Sequence, residues 1–204
     1  MQCRYDMPTT DSCKEEDNLV YDRLSSFVPI HRASALYFYS SSSPWRDLIH
    51  RFKYGGRWYV ARNMGRIYGA ELKSSGLYDD IDVVVPIPLH PLKRLHRGYN
   101  QAEYLAEGIA QELGVKVERR ALCRRRNNPS QARRRFVERW ENLESLFGVR
   151  SAEALRGRHV LLVDDVLTTG ATLCSCIETI ISEVPDCRIS VAVLAVTSKI
   201  DGKR

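Results

Sequence analysis

Two adjacent aspartates and the threonine-rich turn after them are the residues of this 204-residue chain best suited to chemistry. Asp164 and Asp165 offer carboxylate oxygens, which accept hydrogen bonds from vicinal hydroxyl groups and suit a hard cation such as Mg2+. The turn adds backbone N–H groups and three hydroxyls from Thr168, Thr169, Gly170, Ala171 and Thr172. Because the turn opens a predicted helix, whose N-terminus attracts anions, the pattern suits a phosphorylated sugar.

A buried strand and an amphipathic helix must position these residues. Residues 160–163 form an apolar run too short for a helix, which predicts a parallel strand with the aspartates at its carboxyl end. Residues 189–196 predict the next strand and complete a βαβ unit. Between them, apolar residues recur at helical spacing at Leu173, Ile177, Ile180, Ile181 and Val184.

Each piece of this pattern also has an ordinary structural explanation. A strand can end in solvated acidic residues, and a Thr-Thr-Gly sequence can simply begin a helix. Their order along the chain is what favours a ligand site. A Walker phosphate loop and a dinucleotide fingerprint are both excluded, because neither G-x-x-x-x-G-K-[ST] nor G-x-G-x-x-G occurs.

Basic residues follow a second predicted strand at residues 81–85. Lys93, Arg94 and Arg97 lie in the loop 86–100, and they should share a sheet edge with the aspartates because parallel strands end at the same edge. Such cations bind diphosphate oxygens strongly, although a solvated basic turn is the alternative. His90 and His96 show no metal-binding pattern.

The remaining elements complete a single α/β domain with helices on both faces of a mostly parallel sheet. The polar residues 1–34 predict a loosely held lead-in, followed by a first strand at 35–39, and another strand is expected within 115–122. A helix near residues 57–73 should pack on the sheet through Ala61, Met64, Tyr68 and Leu72. A second helix, which ends at Gly114, should pack through Leu105, Ile109 and Leu113.

Composition indicates an ordinary globular protein, with 44% hydrophobic and 27% charged residues. No apolar run approaches the ~18 residues of a membrane helix, and the polar start is no signal peptide, so we expect a cytoplasmic protein without a membrane segment. The six cysteines lack the dense spacing of a disulfide scaffold, which predicts reduced thiols.

Positive charge is concentrated in one segment. Residues 116–139 contain ten basic and two acidic residues, a net charge of +8, whereas the whole chain carries +6. Residues 124–135 of this segment cannot pack in a core and predict a mobile loop. Such a segment could also bind a nucleic-acid backbone.

The segment V-L-L-V-D-D-V-L-T-T-G-A-T, residues 160–172, resembles the phosphoribosyl diphosphate (PRPP) motif of type I phosphoribosyltransferases. Further segments resemble the ComF (competence protein F) branch of that family: L-I-H-R-F-K-Y-G-G-R at 48–57, V-V-P-I-P-L-H-P-L-K-R-L-H-R-G-Y-N-Q at 84–101, P-S-Q-A at 129–132 and R-W-E-N at 139–142. Relatives in this branch often carry an N-terminal zinc ribbon with two C-x-x-C pairs. This chain has no C-x-x-C, so we expect no zinc and interpret residues 1–34 as the remnant of a lost ribbon.

The resemblance implies a type I phosphoribosyltransferase-like domain at residues 35–204. Asp164 and Asp165 would hold the ribose hydroxyls of PRPP and, with them, Mg2+, while the threonine turn would bind the 5′-phosphate. Lys93, Arg94 and Arg97 would bind the diphosphate, and one loop arginine, Arg133, Arg134 or Arg135, would stabilise the leaving group.

Two functions are compatible with this resemblance. The first is Mg2+-dependent transfer of a phosphoribosyl group from PRPP to an acceptor, with a homodimer as an open expectation. The second is a PRPP-fold protein without turnover that binds DNA through residues 116–139 in natural competence. The sequence leaves the acceptor and the general base open.

Overall fold

The computed structural model describes residues 8–39, 58–125 and 146–197, apart from the side chain of His96. These residues form seven strands, five α-helices and one short 3-10 helix, Ser12–Lys14. The strands are β1 (Arg32–Tyr39), β2 (Val83–Pro86), β3 (Lys116–Val117), β4 (Leu122–Arg124), β5 (Phe147–Val149), β6 (His159–Leu167) and β7 (Arg188–Thr197). Five of them form a sheet of order β1-β7-β6-β2-β3 in which the paired strands run parallel. β4 and β5 form a separate antiparallel pair.

Helices cover both faces of this sheet, as the sequence predicts. They are α1 (Leu19–Ser25), α2 (Trp58–Ser75), α3 (Pro91–Arg97), α4 (Gln101–Leu113) and α5 (Ala171–Glu183). Successive residues of a strand point to opposite faces. Thus Val160 and Leu162 of β6 pack with α1 and α5, whereas Leu161 and Val163 pack with α2 and α4.

Both predicted helical stripes on the α2–α4 layer are confirmed. The apolar residues of α2 and α4 named above are buried, apart from the half-buried Leu113, and Gly114 ends α4 in the left-handed conformation that favours glycine. The stripe on α5 is confirmed as well, with Ile181 half-buried. Periodicity therefore predicted which faces of these helices are buried.

Several boundaries differ from the prediction. Residues 8–31 are not a loose lead-in, because Val20 and Leu24 of α1 are fully buried and the Asn18 side chain caps that helix. The loop 86–100 contains helix α3, which begins at Pro91 and ends before Gly98. Residues 115–122 give β3 and the start of β4 instead of one strand, and β1 begins three residues earlier than predicted, at Arg32.

Some predictions concern residues that the structure does not describe. Arg133, Arg134 and Arg135 belong to the segment between β4 and β5, which lies outside the described residues. The motif at residues 48–57 also lies outside them. The division of the chain at residue 34 stays a prediction.

Candidate functional site

The loops after β2 and β6 leave the sheet side by side. The two strands are neighbours, with Pro86 paired to Val163, and the Ile87 amide donates a hydrogen bond to the Val163 carbonyl at 2.9 Å. β2 leads outward to β3 and β6 leads outward to β7, so the strand order reverses between them. In open α/β sheets, ligands bind at this kind of position.

Asp164 and Asp165 are half-buried and lie within β6, which continues to Leu167 instead of ending at Val163. The Asp165 amide donates to Asp164 Oδ1 at 2.8 Å, which fixes the orientation of that carboxylate. Val163 and Val166 both pack towards the α2–α4 layer, so strict alternation of the side chains is interrupted at the aspartates. Their oxygen donors suit hydroxyl groups or a hard cation.

The threonine turn connects β6 to α5. Thr168 and Thr169 are exposed, whereas Gly170 is buried with a φ of 84° and precedes the first helical residues, Ala171 and Thr172. A Cβ at Gly170 would lie 3.1 Å from the Leu24 side chain, so both backbone conformation and space favour glycine. The turn therefore presents backbone N–H groups at the start of a helix of 13 residues.

The three predicted diphosphate-binding cations lie on the short helix α3. Arg94 forms a two-pronged ion pair with Glu103, with N–O distances of 2.9 and 3.3 Å, and Arg97 Nη1 lies 3.5 Å from Gln101 Oε1. Lys93 and Arg97 are half-buried. Arg94 must therefore exchange Glu103 for phosphate if it binds a diphosphate.

Asn100 holds the end of this segment against the sheet. Its Oδ1 accepts from the Ala102 amide at 3.2 Å, and its Nδ2 donates to the Ile87 carbonyl at 3.0 Å. The segment after β2 is thereby closed into a loop with a defined geometry.

Two further arginines lie near this edge: Arg23, to which the sequence analysis gave no role, and Arg124, which the prediction of a mobile loop over residues 124–135 wrongly included. Arg23 of α1 donates to the Thr168 carbonyl at 3.1 Å and to the Thr197 carbonyl at 2.9 Å, so it anchors the threonine turn. Arg124 of β4 is half-buried, with its guanidinium 5.3 Å from the centre of the Phe147 ring. Burial lowers the pKa of Arg124, and the negative charge of Asp164 opposes that shift.

Among the described residues, no helix is both long enough and apolar enough to span a membrane. The cytoplasmic location and the homodimer stay predictions.

Comparison with known proteins identifies the family. Residues 100–204 match the family described as Phosphoribosyl transferase domain. Competence protein F of Haemophilus influenzae is 28% identical over 134 residues, which are 64% of this chain and 58% of that protein. The DNA utilization protein YhgH of Escherichia coli is 31% identical, again over 134 residues that cover 64% of this chain and 58% of that protein.

One of the solved structures to which the chain is similar is glutamine phosphoribosylpyrophosphate amidotransferase from B. subtilis. It is 18% identical with a TM-score of 0.48, and the match covers 71% of this chain and 30% of that one.

The chain spans 58% of the length of the two relatives above. Since the family match covers residues 100–204, over half of the chain, the protein belongs to the phosphoribosyl transferase domain family.

Proposed function

We propose that the chain binds PRPP at the carboxyl edge of its sheet and transfers the phosphoribosyl group to an acceptor with release of diphosphate. The observation that carries the proposal is the pairing of β2 with β6, which brings the aspartate pair and α3 to one sheet edge in a member of this family. An acidic pair, a helix N-terminus and a group of cations match the hydroxyls, the 5′-phosphate and the diphosphate of this substrate.

The proposed reaction needs no nucleophile from the protein. The bond between carbon 1 and the diphosphate oxygen breaks, and its electron pair leaves with the diphosphate. A lone pair of the acceptor forms the new bond to carbon 1, and the proton that the acceptor loses passes to water or to the diphosphate. The side chains orient the sugar and neutralise the leaving group. Asp164 and Asp165 accept hydrogen bonds from the ribose hydroxyls, and the N–H groups of the threonine turn donate to the 5′-phosphate.

The cations of α3 would neutralise the diphosphate, and Mg2+ would add positive charge there when bound. The donor set fits this ion, since Asp164 and Asp165 are adjacent, half-buried oxygen donors. These carboxylates would hold it directly, through the ribose hydroxyls or through water. Lys93, Arg94 and Arg97 would bind the same group, joined by Arg133, Arg134 or Arg135 from the segment after β4.

Calorimetric titration with PRPP and Mg2+ tests this proposal. We expect saturable binding of one PRPP per chain, which weakens when EDTA removes the metal. Diphosphate and ribose 5-phosphate, titrated separately, should each bind more weakly than PRPP, because each occupies only part of the site. Absence of PRPP binding would contradict the proposal, and diphosphate binding as tight as PRPP binding would contradict the role of the sugar.

A second candidate function is DNA binding without turnover. It is favoured by the names of the two relatives, one a competence protein and the other a DNA utilization protein. The described part of residues 116–139 also exposes Lys116, Arg120 and Arg125. Cations of this kind bind phosphates of any sequence and release counterions.

Replacement of Lys116, Arg120 and Arg125 by Gln tests the second candidate. If the segment binds DNA, log affinity for single-stranded DNA should depend less steeply on log salt concentration in this variant. The magnitude of the negative slope should decrease by about 0.7 for each lost phosphate contact. The matched control replaces three exposed cations of α2, Arg62, Arg66 and Lys73, and should retain the wild-type slope. Fluorescence anisotropy at several salt concentrations measures the slope for both variants. An equal slope in the two variants would argue against DNA binding by residues 116–139.

A further inference from the structure

Three potential metal ligands converge at the opposite edge of the sheet, where the strands begin. His31 precedes β1, Asp80 precedes β2, and His159 is the first residue of β6. Nδ1 of His159 lies 3.1 Å from Asp80 Oδ2, and Nε2 of His31 lies 4.0 Å from that same oxygen. One ligand atom from each residue lies within 4.8 Å of the other two.

His159 is the most informative member of this cluster. Its side chain is 0% exposed, and Nε2 lies 2.8 Å from the hydroxyl of Ser190. Nδ1 is buried, and its contact with Asp80 Oδ2 at 3.1 Å is close but poorly aligned for a hydrogen bond. A buried polar atom left in this way is costly, and a cation between Nδ1 and the carboxylate would satisfy both.

The surroundings orient the carboxylate. Arg32 Nη1 lies 3.1 Å from Asp80 Oδ1, which leaves Oδ2 directed towards the two imidazoles. Arg188 Nη1 lies 3.5 Å from Oδ2, but the Arg188 side chain is 57% exposed and can move into solvent at little cost. Burial is the main factor that lowers the pKa of both histidines, with Asp80 opposing it, so neutral imidazoles are available.

We propose that His31, Asp80 and His159 bind a divalent transition metal of the zinc class, with a fourth position open to water. Two imidazole nitrogens and one carboxylate oxygen suit zinc or cobalt better than Mg2+. Tetrahedral bonds of about 2.0–2.1 Å place ligand atoms about 3.3 Å apart, so a small movement of the exposed His31 completes the geometry. With Nδ1 bound to the metal, Nε2 of His159 carries the ring proton and donates a hydrogen bond to the Ser190 hydroxyl, which is the usual support for a metal-bound histidine.

This site is independent of the proposed sugar site. Its ligands stand at the starts of strands, whereas Asp164 and Asp165 lie near the carboxyl end of β6. The bound ion would join the segments before β1, β2 and β6, and so stabilise the folded chain by mass action. Sequence spacing gave no indication of the site, because its ligands are 49 and 79 residues apart.

Equilibrium dialysis of the whole chain against Zn2+ or Co2+ tests this inference. We expect one ion per chain in the wild type, and binding at least about 10-fold weaker in His31→Ala and in Asp80→Asn. Asp79→Asn is the matched control, since it removes an exposed carboxylate next to the cluster and should leave binding unchanged. Ser190→Ala, which removes only the support of His159, should weaken binding about 10-fold.

Thermal unfolding and spectroscopy complete the test. Zn2+ should raise the melting temperature of the wild type and of Asp79→Asn, and should raise that of His31→Ala, whose side chain is 38% exposed, by less. The inference is overturned if the wild type binds no stoichiometric metal, or if both ligand variants bind as tightly as the wild type. A thiolate-to-cobalt charge-transfer band would likewise overturn it, because cysteines would then be the ligands.

Discussion

An alanine at Gly108 should destabilise the folded chain by about 2 kcal/mol or more. A Cβ at Gly108 would lie 2.2 Å from the Arg62 carbonyl oxygen and 2.6 Å from the Arg66 amide nitrogen. Both atoms belong to the backbone of α2, so the methyl group fits only if α2 and α4 separate. The helix propensity gained by replacing glycine, about 1 kcal/mol, offsets only part of this cost.

Urea denaturation followed by circular dichroism measures this effect. Gln111→Ala, an exposed change on the same helix, is the control and should alter the free energy of unfolding by no more than about 0.5 kcal/mol. A wild-type midpoint for Gly108→Ala would mean that α2 and α4 tolerate a wider spacing. The contact also matters for the candidate site, because α4 begins directly after Asn100, which closes the loop after β2.

Most of the sheet and its helices could be predicted because each contains its own periodic pattern. β6 and β7 are apolar runs buried on both faces, and α2, α4 and α5 each carry one apolar stripe. The sequence did not predict α1 because only two of its residues, Val20 and Leu24, are fully buried. The side chain of its N-cap, Asn18, donates hydrogen bonds to the carbonyls of Ser12 and Ala33, which the fold brings close.

Helix α3 could have been recognised from local signals. Pro91 stands at its first turn and Gly98 follows its last residue with a φ of 83°, an arrangement typical of helix ends. The basic residues between them drew attention to ligand binding instead. The Arg94–Glu103 ion pair, by contrast, depends on how α3 turns back towards α4, which spacing alone does not determine.

The candidate site was predictable where its residues are adjacent and not where they are distant. Asp164, Asp165 and the threonine turn form one continuous segment, and the parallel sheet places the loop after β2 beside it. Arg23 contacts that turn from 145 residues away, and Arg124, whose pKa burial lowers and the charge of Asp164 raises, belongs to a different sheet. No periodicity connects such residues, so only the folded structure shows them.

The double variant Asp164→Asn/Asp165→Asn should bind PRPP at least about 100-fold more weakly than the wild type. Each carboxylate provides charged hydrogen bonds worth about 1.5–3 kcal/mol, and about 1.4 kcal/mol corresponds to a tenfold change in affinity. Asparagine keeps the shape of the side chain and an oxygen that can accept the hydrogen bond from the Asp165 amide. The loss should therefore appear in binding, with little change in the melting temperature.

Titration calorimetry in Mg2+ compares this variant with Asp186→Asn, which removes an exposed carboxylate from the loop before β7. That control should bind PRPP as the wild type does, because its loop lies at the other edge of the sheet. If the double variant also retained wild-type affinity, the sugar would not contact these aspartates, and the proposed roles of both residues would be wrong. If it bound no PRPP while still binding diphosphate weakly, the aspartates would be the ribose ligands, and residues other than these two would bind the diphosphate.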